Sequence, residues 1–229
     1  GNFTFSHFVQ LFDRNGPYLI AMKNSLLFGV FTASGAVVLS LGALFVVNRT
    51  RARVGPFLPL LCTLPAAIPE IILAMAAIFA WMNPPLRLYN TPWILFLGYL
   101  VPAIPFAFKN LSGLIHHIPY TFEEMAMVQG ASRAQAFRRI TLPQLSPGIR
   151  AGWILGFLFV LREIPISILL YSPGNETIGV RMFHLRSDTG GMETLAALSL
   201  LLILSTVLGK AFTGLFQTGK KFAFSNVRK

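Results

Sequence analysis

The sequence predicts an all-α membrane protein with five hydrophobic segments, each long enough to span a membrane. Of its 229 residues, 54% are hydrophobic and only 12% are charged, whereas soluble domains carry about 25% charged residues. The apolar segments recur along almost the whole chain, and a helix needs about 20 such residues to cross a bilayer. A long polar interval between the third and fourth segments carries signals for two short helices.

The predicted spans are bounded by prolines, aromatic residues and charges. Pro65 and Pro69 interrupt the second span, and Pro102 and Pro105 predict a bend in the third. Broken helices are tolerated in a membrane where they face protein or a water-filled cavity. The predicted order is an interfacial segment at 1–17, a membrane domain at 18–217 with spans at about 24–48, 56–82, 92–109, 147–171 and 193–216, and a basic tail at 218–229.

The net charge of +11 follows the membrane topology and does not indicate a nucleic-acid partner. Of the 19 lysines and arginines, thirteen fall on one side of the predicted spans, five on the other and Arg162 within a span. Cytoplasmic loops are enriched in Lys and Arg. We therefore expect the lipid bilayer to be the environment of the chain, with the N-terminus outside the cell and the C-terminus in the cytoplasm.

The polar interval at 119–146 begins with signals for one short helix. Thr121 followed by Glu124 has the spacing of a capping box and predicts a helix start near Phe122. Gly130 can supply the left-handed residue that ends this helix. The simplest structural interpretation is a re-entry turn between two spans in which Glu124 only caps the helix.

A second short helix is predicted directly after the glycine. Ser132 and Gln135 repeat the capping-box spacing. Pro143 predicts the end of this helix, because its ring cannot continue one. Two short exposed helices joined at a glycine are suited to docking into the groove of a partner.

This interval resembles the "EAA" loop of binding-protein-dependent ABC transporter permeases. Glu124-Met125-Ala126, Gly130 and Ile140-Thr141-Leu142-Pro143 stand at the spacing of that loop, with Met125 in place of the family's first alanine. In the family, this loop is the coupling helix that sits in a cleft of the cytoplasmic ATPase. The resemblance implies that the ATPase-coupling residues are Glu124, Ala126, Gly130, Ala131, Ser132, Ile140, Leu142 and Pro143.

The resemblance also implies a fold and a set of partners. The fold is a MetI-like permease core of five transmembrane helices in a bacterial inner membrane, with a periplasmic N-terminus and a cytoplasmic C-terminus. The partners are cytoplasmic ABC ATPase subunits, a second permease core on the same chain or another subunit, and a periplasmic solute-binding protein. The chain is then a transport subunit without a cofactor of its own, and ATP closure of the ATPase drives alternating access.

Three charged residues fall within predicted spans and are candidates for the translocation pathway: Glu70, Arg162 and Glu163. Such charges cost about 2.5–3.5 kcal/mol each on insertion scales and usually face the interior of a bundle. Arg162 and Glu163 point about 100° apart on a helix, so they need not pair with each other. Two interpretations remain open, namely direct contact with the substrate and an inter-helix ion pair such as Glu70 with Arg162.

The sequence contains no catalytic constellation and no metal-site pattern. His116 and His117 are adjacent, so on a helix they diverge and cannot share one metal face. Gly214 to Lys220 nearly spells a phosphate-binding loop, but Lys221 stands where Ser or Thr should coordinate magnesium. ATP hydrolysis is therefore expected on another chain.

Two further stretches bear on the substrate. Leu161–Pro165 and Pro173–Ile178 resemble ferric-iron permeases of the same family, which are often two fused halves, and this chain is similar to the second half. The start at Gly1 without a methionine is also typical of a fragment or a processed piece. Ferric iron is the predicted cargo, with thiamine, phosphonate and small anions as alternatives. The outer loop at Tyr171–Thr177 is expected to help receive substrate from a binding protein.

Three rival functions remain. A secondary transporter or channel without an ATPase would use Glu70, Arg162 and Glu163 for ion coupling and would need no docking loop. A membrane-embedded assembly subunit would use the loop to bind another cytoplasmic protein. A membrane enzyme is the weakest alternative, because the sequence shows no nucleophile, metal cluster or acid–base pair.

Overall fold

The computed structural model describes residues 9, 11–13, 16–50, 52–187 and 191–225, with side chains described only to residue 211 and not at Ser187. The predicted interfacial segment at 1–17 and the side chains of the tail at 218–229 fall largely or wholly outside these residues. The predicted all-α fold class is confirmed. In chain order the helices are α1 (Pro17–Arg49), α2 (Leu58–Thr63), α3 (Glu70–Trp81), α4 (Pro92–Ile115), α5 (Thr121–Val128), α6 (Arg133–Ala136), α7 (Leu142–Gln144), α8 (Ser146–Arg162), α9 (Pro165–Leu170), α10 (Ile178–Ser187) and α11 (Met192–Ser225).

Three helices of the described chain are long and apolar enough to cross a membrane alone: α1, α4 and α11 over Met192–Ala211. Two further candidates are bent pairs. The segments Gly55–Ala67 and Glu70–Trp81 meet at 111°, and Arg133–Gln144 meets Ser146–Arg162 at 70°. If each bent pair is one span, the described residues contain up to 5 spans.

The prolines of the second and third predicted spans have different effects. Ile68, which precedes Pro69, is extended with φ −101° and ψ 129°, because proline disfavours the helical conformation of the residue before it. By contrast, α4 continues through Pro102 and Pro105 as far as Ile115. Both of these prolines are buried, so packing against neighbouring helices favours the continuous helix despite the missing backbone donors.

Helix α1 packs closely because its buried face is made of small residues. A side chain at Gly29 would meet Phe157 of α8, since a Cβ there would lie 2.8 Å from the ring. Small residues allow membrane helices to approach each other in this way, and α1, α4 and α8 pack pairwise at the centre of the protein. The buried face of α1 consists of Ala21, Ser25, Gly29, Thr32, Ala33, Ala36, Val37, Ser40 and Leu44.

The apolar core of the described residues includes two clusters that involve the long helices α1 and α4. The main cluster joins α1, α3, α4, α8 and α9 and includes Leu95, Phe159 and Ile166. A second cluster joins the end of α1 and the end of α4 to Phe137 and Leu145. The second cluster therefore anchors the polar interval after α4 against the long helices.

Candidate functional site: the coupling loop and the broken spans

The glycine and the second cap of the loop at 119–146 form as predicted. Gly130 has φ +92°, which confirms the left-handed residue between the two short helices. Ser132 and Gln135 form a complete capping box: Gln135 N donates to Ser132 Oγ at 3.3 Å, and Ser132 N donates to Gln135 Oε1 at 2.9 Å. These local contacts fix the direction in which α6 leaves the glycine.

The first predicted capping box is wrong. Helix α5 begins at Thr121, its N-cap is Tyr120, and no side chain caps it. Glu124 is exposed. The neighbouring residue Glu123 is buried instead and bonds to other elements of the fold, so tertiary contacts outweigh the local cap.

The predicted end at Pro143 is also wrong. After α6 the chain forms a π-helical turn at Phe137–Thr141, and Pro143 lies inside α7. Proline is tolerated in the first turn of a helix, where its missing N–H needs no partner. The 70° bend between Arg133–Gln144 and Ser146–Arg162 therefore follows the proline by a few residues.

Glu123 is the centre of a buried clamp between three elements. It is 2% exposed, and its carboxylate lies 2.8 Å from Nε of Arg49 at the end of α1. Thr141 Oγ1, in the π-helical turn, donates to the same carboxylate. The Arg49 guanidinium also lies over the ring of Tyr120, 4.7 Å from its centroid. We call Arg49, Tyr120, Glu123 and Thr141 the inner clamp.

The inner clamp was not predicted from the sequence, because the resemblance assigns the functional carboxylate to Glu124. No local pattern indicates the choice of Glu123, since the apolar residues of α5 recur at every third position, at Phe122, Met125 and Val128. Such a stripe normally faces the core. Here it faces outward, with Val128 89% exposed, while the adjacent carboxylate Glu123 faces inward. We call Phe122, Met125 and Val128 the apolar ridge.

The eight coupling residues predicted from the sequence lie on one continuous surface segment and differ in exposure. Half of them are exposed and the other half are partly buried. The exposed residues are Glu124, Gly130, Ser132 and Pro143, and the partly buried residues are Ala126, Ala131, Ile140 and Leu142.

The structure brings Glu70 and Glu163 together where two spans break. Glu163 follows the last residue of α8, is 4% exposed and accepts a hydrogen bond from Ile166 N at 2.9 Å. Glu70 is the first residue of α3, and its side chain lies within hydrogen-bonding reach of Glu163. Both carboxylates thus sit at the N-terminal ends of helices, where the backbone favours negative charge.

The ion pair between Glu70 and Arg162, which belonged to one of the two open interpretations, is not found among the described residues. Neither of the ion pairs found between described residues involves these two side chains. The reason is the break after α8: Arg162 is exposed, whereas the extended conformation of Glu163 turns its own side chain inward toward α3.

A cavity of about 200 Å³ opens beside the broken second span. Glu70 lines it together with Lys109, which belongs to α4. The sequence analysis placed Lys109 at the end of the third span, but α4 continues six residues beyond it, to Ile115. The cavity therefore presents an anionic and a cationic side chain. Its remaining lining is Pro65, Ala66, Ile68, Pro102, Pro105, Phe106 and Phe159.

The loop before α10 is tied to the other end of α1. Asn24 Nδ2 donates to the carbonyls of Gly174 and Glu176, each at 3.0 Å. Ile178 N donates to Ser25 Oγ at 2.8 Å. We call these contacts, from Asn24 and Ser25 to residues 174–178, the outer clamp.

The outer loop also packs directly against the break after α8. A Cβ at Gly179 would collide with the carbonyl oxygen of Glu163, so the close approach requires glycine. The two stretches on which the ferric-iron resemblance rests, 161–165 and 173–178, are therefore neighbours in space.

A family model identifies the chain. Residues 25–221 match the family described as "Binding-protein-dependent transport system inner membrane component". The chain belongs to this family. The family predicted from the spacing of Glu124 to Pro143 is thereby confirmed, and so is a multi-pass location in the inner membrane.

Curated relatives of this inner membrane component are permease proteins of several transport systems. The PhnV permease protein of Salmonella typhimurium, assigned to 2-aminoethylphosphonate transport, is 28% identical over 206 residues, 90% of this chain and 77% of that protein. The spermidine/putrescine permease protein PotC of Escherichia coli K12 is 25% identical over 199 residues, 87% of this chain and 75% of that protein. The chain is thus a transport subunit and not an enzyme.

Solved structures share the fold of this inner membrane component. A bacterial alginate ABC transporter, in complex with an alginate-pentasaccharide-bound periplasmic protein, has a TM-score of 0.71 at 20% identity, over 92% of this chain and 81% of that one. The MetNI methionine ABC transporter in an inward-facing conformation has a TM-score of 0.65 at 17% identity, over 86% of this chain and 95% of that one. These similarities confirm the predicted MetI-like permease fold.

Among the residues that the structure describes, no group of three or more His, Cys, Asp and Glu side chains is placed to hold a metal ion. His117 lines a cleft of about 680 Å³ beside Pro143 and Pro147. This cleft lies at the base of the loop at 119–146.

Proposed function

We propose that this permease subunit is driven by an ABC ATPase on another chain, and that residues 121–143 are the docking site of that ATPase. The observation that carries the proposal is the reversed orientation of α5. Its carboxylate Glu123 is 2% exposed, while its apolar ridge faces outward. A membrane protein that buries a charge and exposes apolar side chains on one short helix presents a surface for a partner.

The chemistry of the loop specifies the groove that fits it. Burial of the apolar ridge contributes about 1.5–3 kcal/mol for each large side chain. Exposed arginines flank the ridge at Arg133, Arg138 and Arg139. The ATPase groove should therefore have an apolar floor, acidic side chains opposite these arginines and a basic side chain opposite the exposed Glu124.

The orientation of the chain follows from this assignment. The coupling loop lies in the cytoplasm with the C-terminus, and the outer loop and the N-terminus lie in the periplasm. The excess of Lys and Arg on the side of the coupling loop supports this orientation. A cysteine at Phe183 of α10, a side chain that is 46% exposed, should react with a membrane-impermeant thiol reagent added to spheroplasts.

Cross-linking tests the docking site. The single cysteine, Cys62, is replaced by serine, and Val128→Cys is introduced on the apolar ridge in the transporter purified with its ATPase. We expect Val128→Cys to cross-link to the ATPase and the matched variant Phe183→Cys not to do so. Absence of this cross-link, or labelling of Val128→Cys from the periplasmic side, would refute the docking site.

The broken spans are the proposed translocation pathway. Glu70 and Glu163 meet there, and Glu70 shares a cavity with Lys109. Discontinuous helices in transporters commonly place helix ends at the substrate path. Arg162 is exposed on the same segment and is assigned to the wall that faces the second permease core.

The proposed cargo is a small organic molecule with both a cationic and an anionic group, of the aminophosphonate class. The similarity to a permease of 2-aminoethylphosphonate transport over 90% of the chain supports this class. The opposite charges of Glu70 and Lys109 in one cavity support it further, because an ammonium group and a phosphonate could each meet the complementary side chain.

Ferric iron remains the second candidate, on the resemblance of 161–165 and 173–178, which are neighbours in space. Uptake by proteoliposomes that hold the complete transporter separates the two candidates and a polyamine. We expect ATP-dependent uptake of 2-aminoethylphosphonate and no uptake of ferric iron or spermidine. Uptake of iron alone would overturn the aminophosphonate assignment, and uptake without ATP would favour the secondary transporter.

A further inference from the structure

We infer that α1 couples the outer loop to the coupling loop, and we call this helix the rod. Docking of a binding protein on the outer loop would change the rate of ATP hydrolysis on the other side of the membrane through this helix. The inference rests on the proposed function of the two loops. Its basis is that both clamps belong to α1: the outer clamp at Asn24 and Ser25, and the inner clamp at Arg49.

The two clamps connect parts of the chain that are distant in sequence. Asn24 bonds to Glu176, 152 positions away, and Arg49 bonds to Glu123, 74 positions away. The helix therefore reaches both loops only through side chains. Each clamp can open or shift without a change in the covalent connection.

The helix between the clamps is built to transmit a displacement. Ser25 and Arg49 are 24 positions apart in one unbroken helix, which corresponds to about 36 Å at 1.5 Å per residue. No proline follows Pro17 within α1. The second span breaks at Ile68 and the fourth at Glu163, so neither can act as a rigid rod over the same distance.

The inner clamp also contains a buried hydrogen-bond donor whose bonding can differ between two positions of α1 relative to α5. Arg49 binds Glu123 through Nε, whereas its Nη2 atom is buried without a hydrogen-bond partner. A small shift of α1 relative to α5 could turn this contact into the two-bonded arrangement that arginine and carboxylate favour. The two arrangements would differ in free energy, because the buried donor would have a partner in only one of them. Coupling between two sites requires such a difference between two states.

The ratio of ATP hydrolysis with and without the cargo-loaded binding protein tests the rod. The complete transporter is reconstituted in liposomes with one variant at a time: Arg49→Lys, Arg49→Met, Asn24→Ala or Ser25→Ala. We expect each to lower the stimulation ratio by at least about fivefold, the scale of a typical allosteric coupling. Arg49→Lys keeps the charge but replaces the planar guanidinium with an ammonium group, which lacks the paired planar donors that match a carboxylate. A role that needs only the charge would therefore leave this variant close to wild type.

Matched controls use exposed cations near each clamp. Arg53→Met and Lys23→Met remove exposed charges and should keep the wild-type ratio. The exchange Arg49→Glu with Glu123→Arg should restore part of the ratio that Arg49→Glu alone abolishes. If Arg49→Met does not assemble, Arg49→Lys and Asn24→Ala decide the question.

The rod and the docking site fail in different ways. The docking site is refuted if Val128→Cys does not cross-link to the ATPase in a protein whose Asn24, Ser25 and Arg49 are unchanged. The rod is refuted if cross-linking is normal and the outer variants Asn24→Ala and Ser25→Ala keep the wild-type ratio. A reduced ratio in the Arg49 variants alone would then mark the inner clamp as a local support of α5.

Discussion

The two ends of α1 hold their loops by different chemistry. At the inner end, Arg49 and Glu123 form an ion pair whose side chains are 8% and 2% exposed. At the outer end, Asn24 and Ser25 use neutral hydrogen bonds to backbone groups of residues 174–178. Loss of one member of a buried ion pair leaves an uncompensated charge, whereas a lost neutral hydrogen bond contributes far less.

This difference indicates which end is rigid and which can adapt. Under the proposed function, the loop at 119–146 receives force from an ATPase and must keep its position, and the inner clamp joins three elements around one carboxylate. Under the same proposal, the loop at 171–177 meets a binding protein and has to change its contacts as the complex forms and separates. Weak neutral bonds at the outer end allow that change at small energetic cost.

The largest effect is expected when the inner clamp loses one partner. Arg49→Met leaves Glu123 buried without its cation, and we expect a loss of stability of about 3–5 kcal/mol. Unfolding of the purified protein in mixed micelles, followed by circular dichroism, measures it. The double variant Arg49→Met/Glu123→Met should recover most of the loss, because no buried charge remains. A single variant as stable as wild type would show that the ion pair is not a rigid attachment.

The next effect is expected where the outer loop touches the break after α8. Gly179→Val inserts a side chain against the Glu163 carbonyl, and overpacking of this kind costs about 1–3 kcal/mol. Gly113→Val is the matched control, since nothing lies within 4 Å of a Cβ there. Equal melting temperatures for Gly179→Val and wild type would show that the loop can move away freely.

Local chemistry and distant contacts explain what could be predicted from the sequence. Gly130 and the capping box of Ser132 were predictable because their conformations depend on a few neighbouring residues. The choice between Glu123 and Glu124 was not, since it depends on Arg49, 74 positions earlier.

The broken spans show the same limit in the membrane interior. Proline chemistry correctly indicated a break before α3, whereas α4 continues as one helix through Pro102 and Pro105. The contact between Glu70 and Glu163 depends on two helix breaks that are far apart in the chain. No local sequence pattern could therefore show that Glu70 lies beside Glu163 and not beside Arg162.

A smaller effect is expected at the outer clamp. Asn24→Ala removes two hydrogen bonds, one exposed and one partly buried, so each should contribute near the lower end of about 0.5–1.5 kcal/mol. The substitution should also increase hydrogen exchange of the amides at 174–178. Lys23→Ala, one position earlier and exposed, serves as the control. If Asn24→Ala destabilised the protein as much as Arg49→Met, the contrast between a rigid and an adaptable end would be wrong.

The smallest effect on stability is expected at Glu124, and it separates the two adjacent carboxylates by role. Glu124 is exposed, so Glu124→Lys should change the free energy of unfolding by less than about 0.5 kcal/mol. Because Glu124 lies beside the apolar ridge, Glu124→Lys should nevertheless reduce ATP-dependent uptake, since the docking groove then meets a reversed charge.

Glu123→Lys should instead unfold the loop, since its side chain has no room and no anionic partner. Uptake assays combined with cross-linking at Val128 measure both variants. Normal uptake by Glu124→Lys would place the energetic contacts of docking on the apolar ridge alone and leave the inner clamp as the only role for a carboxylate in α5.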